Sequence, residues 1–579
     1  MSTKNFCYCI GGVGTRIAEV AGHLCAANLI EENEGITFII VDKDDKNGGT
    51  SSARQLLNNV NCLSDENKHS ATALITSGDN EKHFCKTKLH IDTWDFSSTM
   101  KSLSNANYAA APLETSLTSA NTAFASNDGI LFDAFYSEKE QSKNTDQGFY
   151  GHPSIGALIF KYMIKEGKWD NSGVIQSSDI ASPVKNALAT NNNNPVKVFI
   201  VGSIFGGTGA SIFSNLARHI RTSVGDGNKD RVFISGALLL PYFTFGDKKG
   251  GGGMIDSQSF YSKTKIALEQ YDADENLMKT DTNSDGSFDT LYVCGQEPLH
   301  CIGNYSEGGE NQHNHFDFVD LAAAYAMTEF MNVELQFDTA TRKYSLPARY
   351  QNGIYEYRYA TGDNPTDIPV VKYENLPDDL HRRLAAMSVF SAYFICRVYL
   401  DEKTKEGVFI KERLLTKNEI KNYEKAYATQ VTEILDRVYN YCSSFVNLMM
   451  DISTNGKDHS NDKSKASYES NYSIFNKEYY DKLNNVIIDI GNGNYTNAAN
   501  SVNKTFVNTK KRDQVSNYYM SDTKGLKAND VEEHLKNIFD KRKKTYEANQ
   551  IDIRNRVGDF VHETFGFIYT EITKDNSNK

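Results

Sequence analysis

Residues 196–211 read Val-Lys-Val-Phe-Ile-Val-Gly-Ser-Ile-Phe-Gly-Gly-Thr-Gly-Ala-Ser. Val196 to Val201 predicts a strand. The run from Gly202 to Ser211 predicts a glycine-rich turn, and a helix follows to about Thr222. Strand, glycine loop and helix together can aim backbone N–H groups and a helix N-terminus at an anion. Glycine suits this because a side chain would block close approach, and because such turns need positive φ. No Gly-Lys-Ser/Thr follows, so the loop is not a Walker loop.

A second unit of the same kind lies about two hundred residues upstream. Phe6 to Ile10 predicts a short strand, Gly11-Gly12-Val13-Gly14-Thr15-Arg16 a glycine turn, and about Thr15 to Leu29 a helix. Ile36 to Val41 is a near-continuous apolar run, as expected of a parallel strand buried on both faces, and it ends at Asp42. This is a βαβ unit. The loop nearly matches the dinucleotide fingerprint, with Asp42 where a ribose-binding acid would sit, but the third glycine is replaced by Ile17. A tight turn without any ligand is an equally good reading of this loop alone.

Phe205-Gly206-Gly207-Thr208-Gly209-Ala210-Ser211 resembles the glycine-rich signature of the tubulin and FtsZ superfamily. That family's loop wraps the β- and γ-phosphates of GTP without a lysine. Amide dipoles, the helix N-terminus and a magnesium ion meet the charge. The resemblance implies that Gly206, Gly207, Thr208, Gly209, Ala210 and Ser211 contact phosphate, with the Thr208 hydroxyl as a donor. Ser211 has a second role open to it, as cap of the following helix. Gly11, Gly12, Val13, Gly14 and Thr15 then correspond to the family's first phosphate loop, and Asp42 ends the second strand. Gly148 to Gly156 falls where the family senses the γ-phosphate. Leu240-Pro241-Tyr242-Phe243-Thr244-Phe245-Gly246 resembles a Pro-Phe-x-Phe-x-Gly stretch near the sugar, which implicates Pro241. Asp289 to Gly295 resembles the next strand. The likeness covers residues 5–335 and is nearest to divergent bacterial tubulin-like proteins. It departs at Phe205, which replaces a small residue and is expected in the core, and at Ser211, which replaces a glycine.

The resemblance implies a Rossmann-like α/β nucleotide-binding domain over residues 1–335, with an insertion over about 60–130 and a central helix over about 316–333. Residues 336–579 are expected to form a second domain and a helical C-terminal region, with a mobile loop over about 453–473. GTP or GDP with Mg2+ is the implied ligand. In the superfamily, acids from one subunit complete the GTPase site of the next. Self-association into a head-to-tail filament is therefore the implied partnership. Asp317-Phe318-Val319-Asp320 looks like the family's acidic loop, making Asp317 and Asp320 candidates. Too few residues separate it from Cys294 for that position, so Phe316 to Met331 reads as the central helix. Asn311 or Asn314 could then pair with the base edge, or serve as a helix entrance and cap. Glu374, Asp378 and Asp379 become the candidate acids, although an ordinary helix start is the readier account of the same residues.

Length and composition bound the remainder. The chain of 579 residues is longer than a single core supports, a limit of about 250–300 residues. Apolar residues make up 39% of it, which excludes wholesale disorder. The net charge of −12 argues against a nucleic-acid surface. No apolar run approaches a membrane span, and Ile234 to Phe245 is interrupted by Pro241. Nine cysteines form no CxxC pair. Without a signal-peptide pattern at the N-terminus, a reducing cytoplasm is expected. His313 and His315 lack a third metal ligand at a telling spacing. Beyond residue 340, helices are expected over about 378–400, 417–450, 529–555 and 557–572, and a strand over Asn485 to Ile490. Two other functions fit parts of the pattern. One is a non-polymerising nucleotide switch or scaffold within a multi-gene, defence-type system. The other is a Rossmann oxidoreductase, which leaves the second loop unexplained.

Overall fold

The computed structural model describes residues 3–30, 35–44, 47–68, 84–85, 87–94, 149, 153–166, 179–190, 194–244, 259–280, 285–296, 299–301, 309–310, 314–351, 353–358, 377–404, 407–421, 425–454, 477–502, 526 and 528–573. Its frame is a seven-stranded sheet. The strands are β1 (Lys4–Ile10), β2 (Ile36–Val41), β3 (Leu89–Thr93), β4 (Val196–Ser203), β5 (Val232–Leu239), β7 (Thr290–Gly295) and β11 (Gly353–Arg358), in the order β11-β7-β5-β4-β1-β2-β3. Every pairing is parallel. β4 and β5 are buried at every position, as their largely apolar sequence requires of central parallel strands. The short pieces β6 (Phe243–Thr244) with β8 (His300–Cys301), and β9 (Gln336–Asp338) with β10 (Lys343–Ser345), form two small sheets.

The helices of this part are α1 (Gly11–Ala26), α2 (Gly48–Lys68), α3 (Pro153–Glu166), α4 (Ser182–Thr190), α5 (Thr208–Ser223) and α6 (Phe260–Asp272). The central helix, α7 (Phe318–Asn332), packs along α1 and against β5 and β7. Twelve of its fifteen residues are buried, which fits its Ala- and Met-rich, nearly uniform apolarity. Lys197, buried in β4, donates to the carbonyls of Met331 (2.7 Å) and Val333 (2.6 Å) at the end of α7. A cation there satisfies the orphan carbonyls of a helix C-terminus.

The helical remainder comprises α8 (Asp378–Tyr393), α9 (Leu400–Thr404), α10 (Val408–Leu414), α11 (Lys417–Lys421), α12 (Lys425–Thr454), α13 (Lys477–Gly491), α14 (Tyr495–Val502), α15 (Ala528–Ala548) and α16 (Ile553–Thr573). A π-helical stretch, Phe394–Tyr399, joins α8 to α9. The helix over Asp379–Thr404 is long and apolar enough to cross a membrane by composition, yet 89% of its apolar window is buried inside the protein. It is a core helix of the C-terminal half.

Several expectations need correction. The sheet does not end by residue 335, because β11 supplies its edge from residues 353–358. The helical half is not a separate body either. Phe84 packs against Phe390, Tyr441 and Phe565 with ring centroids 5.1, 5.2 and 5.3 Å away, so one apolar core spans both halves. The expected insertion is part of the fold where it is described: α2 runs on to Lys68, and β3 pairs with β2. Residues 485–490 are helical within α13, not a strand. A short apolar run such as Val486-Ile487-Ile488 does not by itself distinguish the two. Helix α12 continues to Thr454, and the rest of the 453–473 loop lies outside the described residues.

Arg221 in α5 is fully buried. It donates to the carbonyl of Val232 (2.6 Å) and to Asp289 Oδ2 (2.6 Å), and Asp289 Oδ2 also accepts from the backbone N–H of Ile234 (2.7 Å). Removing one partner of a buried pair leaves an uncompensated charge. Arg221→Met is expected to cost about 3–5 kcal/mol in urea unfolding. A loss below about 1 kcal/mol would show that the pair is not a structural staple.

Candidate functional site

The sheet order reverses between β1 and β4. The chain leaves β1 toward β2 on one side and leaves β4 toward β5 on the other. A crevice therefore opens at the carboxyl ends of these two strands, where α/β sheets bind ligands. Cys9 pairs with Val201, so two residues on, Gly11 comes level with Ser203. The glycine loops after the two strands accordingly meet.

The contact is close. Gly11 has φ +68°, in the left-handed region that favours glycine. A Cβ there would lie 3.2 Å from Thr208 Cβ and 3.4 Å from the Gly209 nitrogen. Gly209 packs still more tightly: a Cβ would fall 2.7 Å from the Ser203 nitrogen and 2.8 Å from its carbonyl oxygen. Helix α1 starts at Gly11 itself rather than at Thr15, because the left-handed glycine completes the turn in one residue. Gly12 is exposed and Gly206, Gly207 and Ala210 are half-buried, whereas Gly14, Thr208 and Gly209 are buried. The loop crests thus present bare backbone to the crevice.

A third segment reaches the same place. Ser211 Oγ donates to the carbonyl of Pro153 (2.9 Å), which brings the start of α3 against α5. Gly156, one turn into α3, sits so close that a Cβ there would fall 2.2 Å from Ser211 Oγ. Of the Gly148 to Gly156 stretch, Gly148 and residues 150–152 lie outside the described residues.

Other side chains have roles the sequence leaves open. Ser211 does not cap α5. Its hydroxyl bonds back to the Gly207 carbonyl (2.5 Å) and across to Pro153, since α5 already begins at Thr208. Thr15 likewise donates back to the Gly12 carbonyl (3.0 Å). Val13 packs against the core, and Phe205 is buried among Tyr242, Phe243 and Phe260. Asp42 follows β2, with its carboxyl pushed up to about 7 by burial and by Asp44.

Asp317 caps α7 by accepting from Val319 N (2.9 Å), and Asp320 returns a bond to Asp317 N (2.9 Å). The reciprocal pair is a capping box. Asp320 also pairs with Arg16 Nε (2.9 Å) and accepts from the Tyr242 hydroxyl (2.5 Å). Both acids are fully buried, so they hold the central helix and the first loop together rather than facing water. Burial alone would lower the Arg16 pKa, but Asp320 outweighs it and the guanidinium stays firmly charged. Tyr242, next to Pro241, also bonds Arg16, which ties the Pro241 turn to the first loop.

A cavity of about 290 Å³ adjoins Gly12. Arg16 and Glu19 continue its wall along α1, Asn47 and Gly49 come from the start of α2, and Asn314 leads into α7. Asn47 caps α2, accepting from the N–H groups of Gly49 (2.8 Å) and Thr50 (3.3 Å). The cavity therefore joins Gly12 to Asn314, two residues more than three hundred positions apart. The remaining wall comes from α12, an element that carries no functional signal in its sequence.

Asp379 stands elsewhere. It pairs with Arg383 Nε (2.8 Å), and Arg383 Nη1 donates to the Ala27 carbonyl (3.4 Å), just past the C-terminal end of α1. With its 16 residues, α1 spans roughly 24 Å at ~1.5 Å rise per residue. Asp379 is thus at the opposite end of α1 from the glycine loops. Glu374, Asn311, His313 and the side chain of Asp378 lie outside the described residues. Among the described residues, no group of three His, Cys, Asp or Glu side chains is placed to hold a metal ion.

Residues 164–256 match a family model described as tubulin like. The match contains β4, the second glycine loop, α5, β5 and the Pro241 turn. No curated protein matches the chain. Over those residues the chain is similar to the tubulin-like family, and its fold is a Rossmann-like parallel sheet with a helical C-terminal region.

Glu19 on the cavity wall is buried, and burial pushes its carboxyl up to about 7; a hydrogen bond from Ser444 opposes the shift and the Asp451 charge adds to it. The folded state therefore binds this proton more tightly than the unfolded chain. Its contribution to stability is complete in acid and is lost as the pH rises through about 7. Glu19→Gln removes that loss. Its melting temperature should exceed wild type at about pH 8 and converge with it only below about pH 4, under the ordinary Glu value. A constant difference across that range in a melting series would contradict the protonated, buried state.

Proposed function

We propose that the protein binds GTP or GDP with magnesium across its two glycine loops, and that nucleotide state controls head-to-tail assembly of its copies. The observation that carries this is the meeting of Gly11 with Thr208 and Gly209 at the sheet's reversal point. The first N–H groups of α1 and α5 lack acceptors within their own helices. Together they make a cradle for phosphate oxygens; a Cβ at Gly11 would press on Thr208 and one at Gly209 on the Ser203 backbone, so both glycines let the turns pack closely. Gly12, Val13, Gly206 and Gly207 supply backbone donors, and Thr208 supplies a hydroxyl. Magnesium, when bound, would neutralise phosphate charge, and it would arrive on the triphosphate.

Hydrolysis is the further part of this reading. Asp379 cannot reach the phosphate cradle of its own subunit, about 24 Å away along α1. It is exposed at the opposite pole, where it would meet the cradle of a neighbour stacked in the same orientation. That arrangement supports an assembly-dependent GTPase, with Asp379 and its neighbours Asp378 and Glu374 orienting water. A non-polymerising switch is the second reading, favoured by one observation: the C-terminal helices share the core of the α/β domain and extend to its cavity.

Calorimetric titration of the full chain with GTP, and in parallel with NAD, tests the binding. GTP should bind only with magnesium. Gly207→Arg and Thr208→Val should weaken it tenfold or more. Unchanged curves, or a preference for NAD, would overturn the proposal. Sedimentation and negative-stain microscopy with GTP separate the two readings. Filaments that Asp379→Ala leaves intact but unable to hydrolyse GTP support assembly-coupled catalysis. Absence of filaments at all concentrations supports the switch.

A further inference from the structure

Three polar side chains of the C-terminal half come together where α8 passes into the π-helical stretch, and none of them lines the cavity beside Gly12. Tyr393 is the last residue of α8 and only 3% exposed, yet its hydroxyl has no hydrogen-bond partner among the described residues. Arg397 follows four positions later, inside the stretch Phe394–Tyr399. Helical residues four apart share a face, and π-turns within α-helices recur at functional sites. Arg413 comes from α10, which packs against α9, α15 and α16. Burial and the Glu532 carboxylate of α15 push the Tyr393 pKa up, and the charges of Arg413 and Arg397 oppose them, so all three side chains act on this hydroxyl. Donors outnumber acceptors here. Arg397 donates through Nε (2.9 Å) and Nη2 to one oxygen, Glu532 Oε1. Arg413 forms no ion pair among the described residues: Nη1 donates to the Phe409 carbonyl (3.1 Å), the guanidinium lies 3.3 Å from the centre of the Phe409 ring, and Nε is buried with no acceptor. A half-buried charge without a counter-ion, beside a buried hydroxyl without an acceptor, costs free energy that a bound anion would recover.

We propose that Tyr393, Arg397 and Arg413 form an anion site in the helical half, which takes a phosphate group carried by a small molecule. The inference stands apart from the nucleotide reading, because it uses none of the glycine-loop residues. Guanidinium forks match phosphate oxygens in geometry as well as charge. A tetrahedral phosphate turns its oxygens in several directions and can meet donors from α8 and α10 at once, whereas a carboxylate confines its acceptors to one plane. Arg397 Nη1 takes no part in the Glu532 pair and remains for the ligand. The Arg397 side chain is 37% exposed, which gives an ion a way in from solvent. Two guanidinium groups face one paired carboxylate in a protein of net charge −12. The local field therefore attracts an anion where the overall charge does not.

Calorimetric titration of the full chain with inorganic phosphate, with acetate in parallel at equal ionic strength, tests the site. Wild type should bind phosphate in preference to acetate. Arg413→Met keeps an apolar stem over Phe409, and Tyr393→Phe keeps the buried ring, so both chains should fold. Each should weaken phosphate at least tenfold. Phosphate held by the glycine loops would be untouched by either substitution, so the difference between wild type and variant isolates this cluster. Without phosphate, Arg413→Met should melt no lower than wild type, because it removes a charge that lacks a counter-ion. A purely structural arginine would instead give a lower melting temperature and an unchanged phosphate curve. Should one variant fail to fold, the other decides. Wild-type phosphate affinity in the folded variants, no phosphate binding by wild type, or equal binding of acetate would overturn the inference.

Discussion

Two strand-to-helix turns pack within contact distance of one another, and the site depends on that single approach. Gly11 sits against Thr208 and Gly209 with no side chain of its own at the contact, and Gly209 lies in turn against the Ser203 backbone, where a Cβ would fall 2.7 Å from the nitrogen. The pairing of β1 with β4 sets the level of the turns, and the reversal of strand order between them keeps the space above open. Shift the register by one residue and the crests would no longer align, while every side chain of β4 would change face. Fully buried β4 tolerates no such slip. The sheet core thus fixes the geometry of the site.

The surrounding contacts hold the turns in place from several directions. Arg16 reaches from α1 to Asp320 at the entrance of α7 and to Tyr242 in the turn after β5. A buried pair of this kind is weak evidence for net stability, and its use here is to hold three segments in one arrangement. The C-terminal half adds a further brace. Ser444 of α12 is within bonding distance of both His23 Nε2 (3.2 Å) and Glu19 Oε1 (3.4 Å) on α1. Asn59 of α2 donates to the Arg437 carbonyl (2.8 Å). The helical region therefore acts as a buttress for α1 and α2.

Sequence periodicity and glycine placement reveal the strands β1, β2, β4, β5 and β7, both glycine turns and the buried central helix, because each carries a strong local signal. The same local signals fail where the deciding contact is distant. Ser211 looks like a cap by residue type, yet Pro153 and Gly207 claim its hydroxyl. Asp317 and Asp320 look like a catalytic pair by motif, yet Arg16, about three hundred residues earlier, neutralises one and the helix start occupies the other. The edge strand β11 has only Ile354 and alternating tyrosines to identify it, and it follows the central helix where the sequence pattern predicts no strand. The α12 wall is hidden for a plainer reason. Asn447 and Asp451 sit on an ordinary amphipathic helix, and only the fold brings them to Gly12.

Electrostatically, the cavity is nearly balanced by its own side chains. Arg16 is matched by Asp320. The Asp451 carboxylate holds His315 above its ordinary pKa, so that pair also cancels when the imidazole is charged. Glu19, held at about 7, carries only a partial charge near neutrality. What remains is the field of the backbone. Helices α1, α2 and α5 all begin at this crevice, each directing the positive end of its dipole inward. Unpaired side-chain charges would have screened or reversed that field. With them paired off, peptide dipoles favour an anion, and they favour one long enough to span two turns. A single phosphate would engage one helix start. On the nucleotide reading proposed above, a chain of phosphates would engage α1 and α5 together, and the close approach of Gly11 and Thr208 is what brings the two helix starts within its reach.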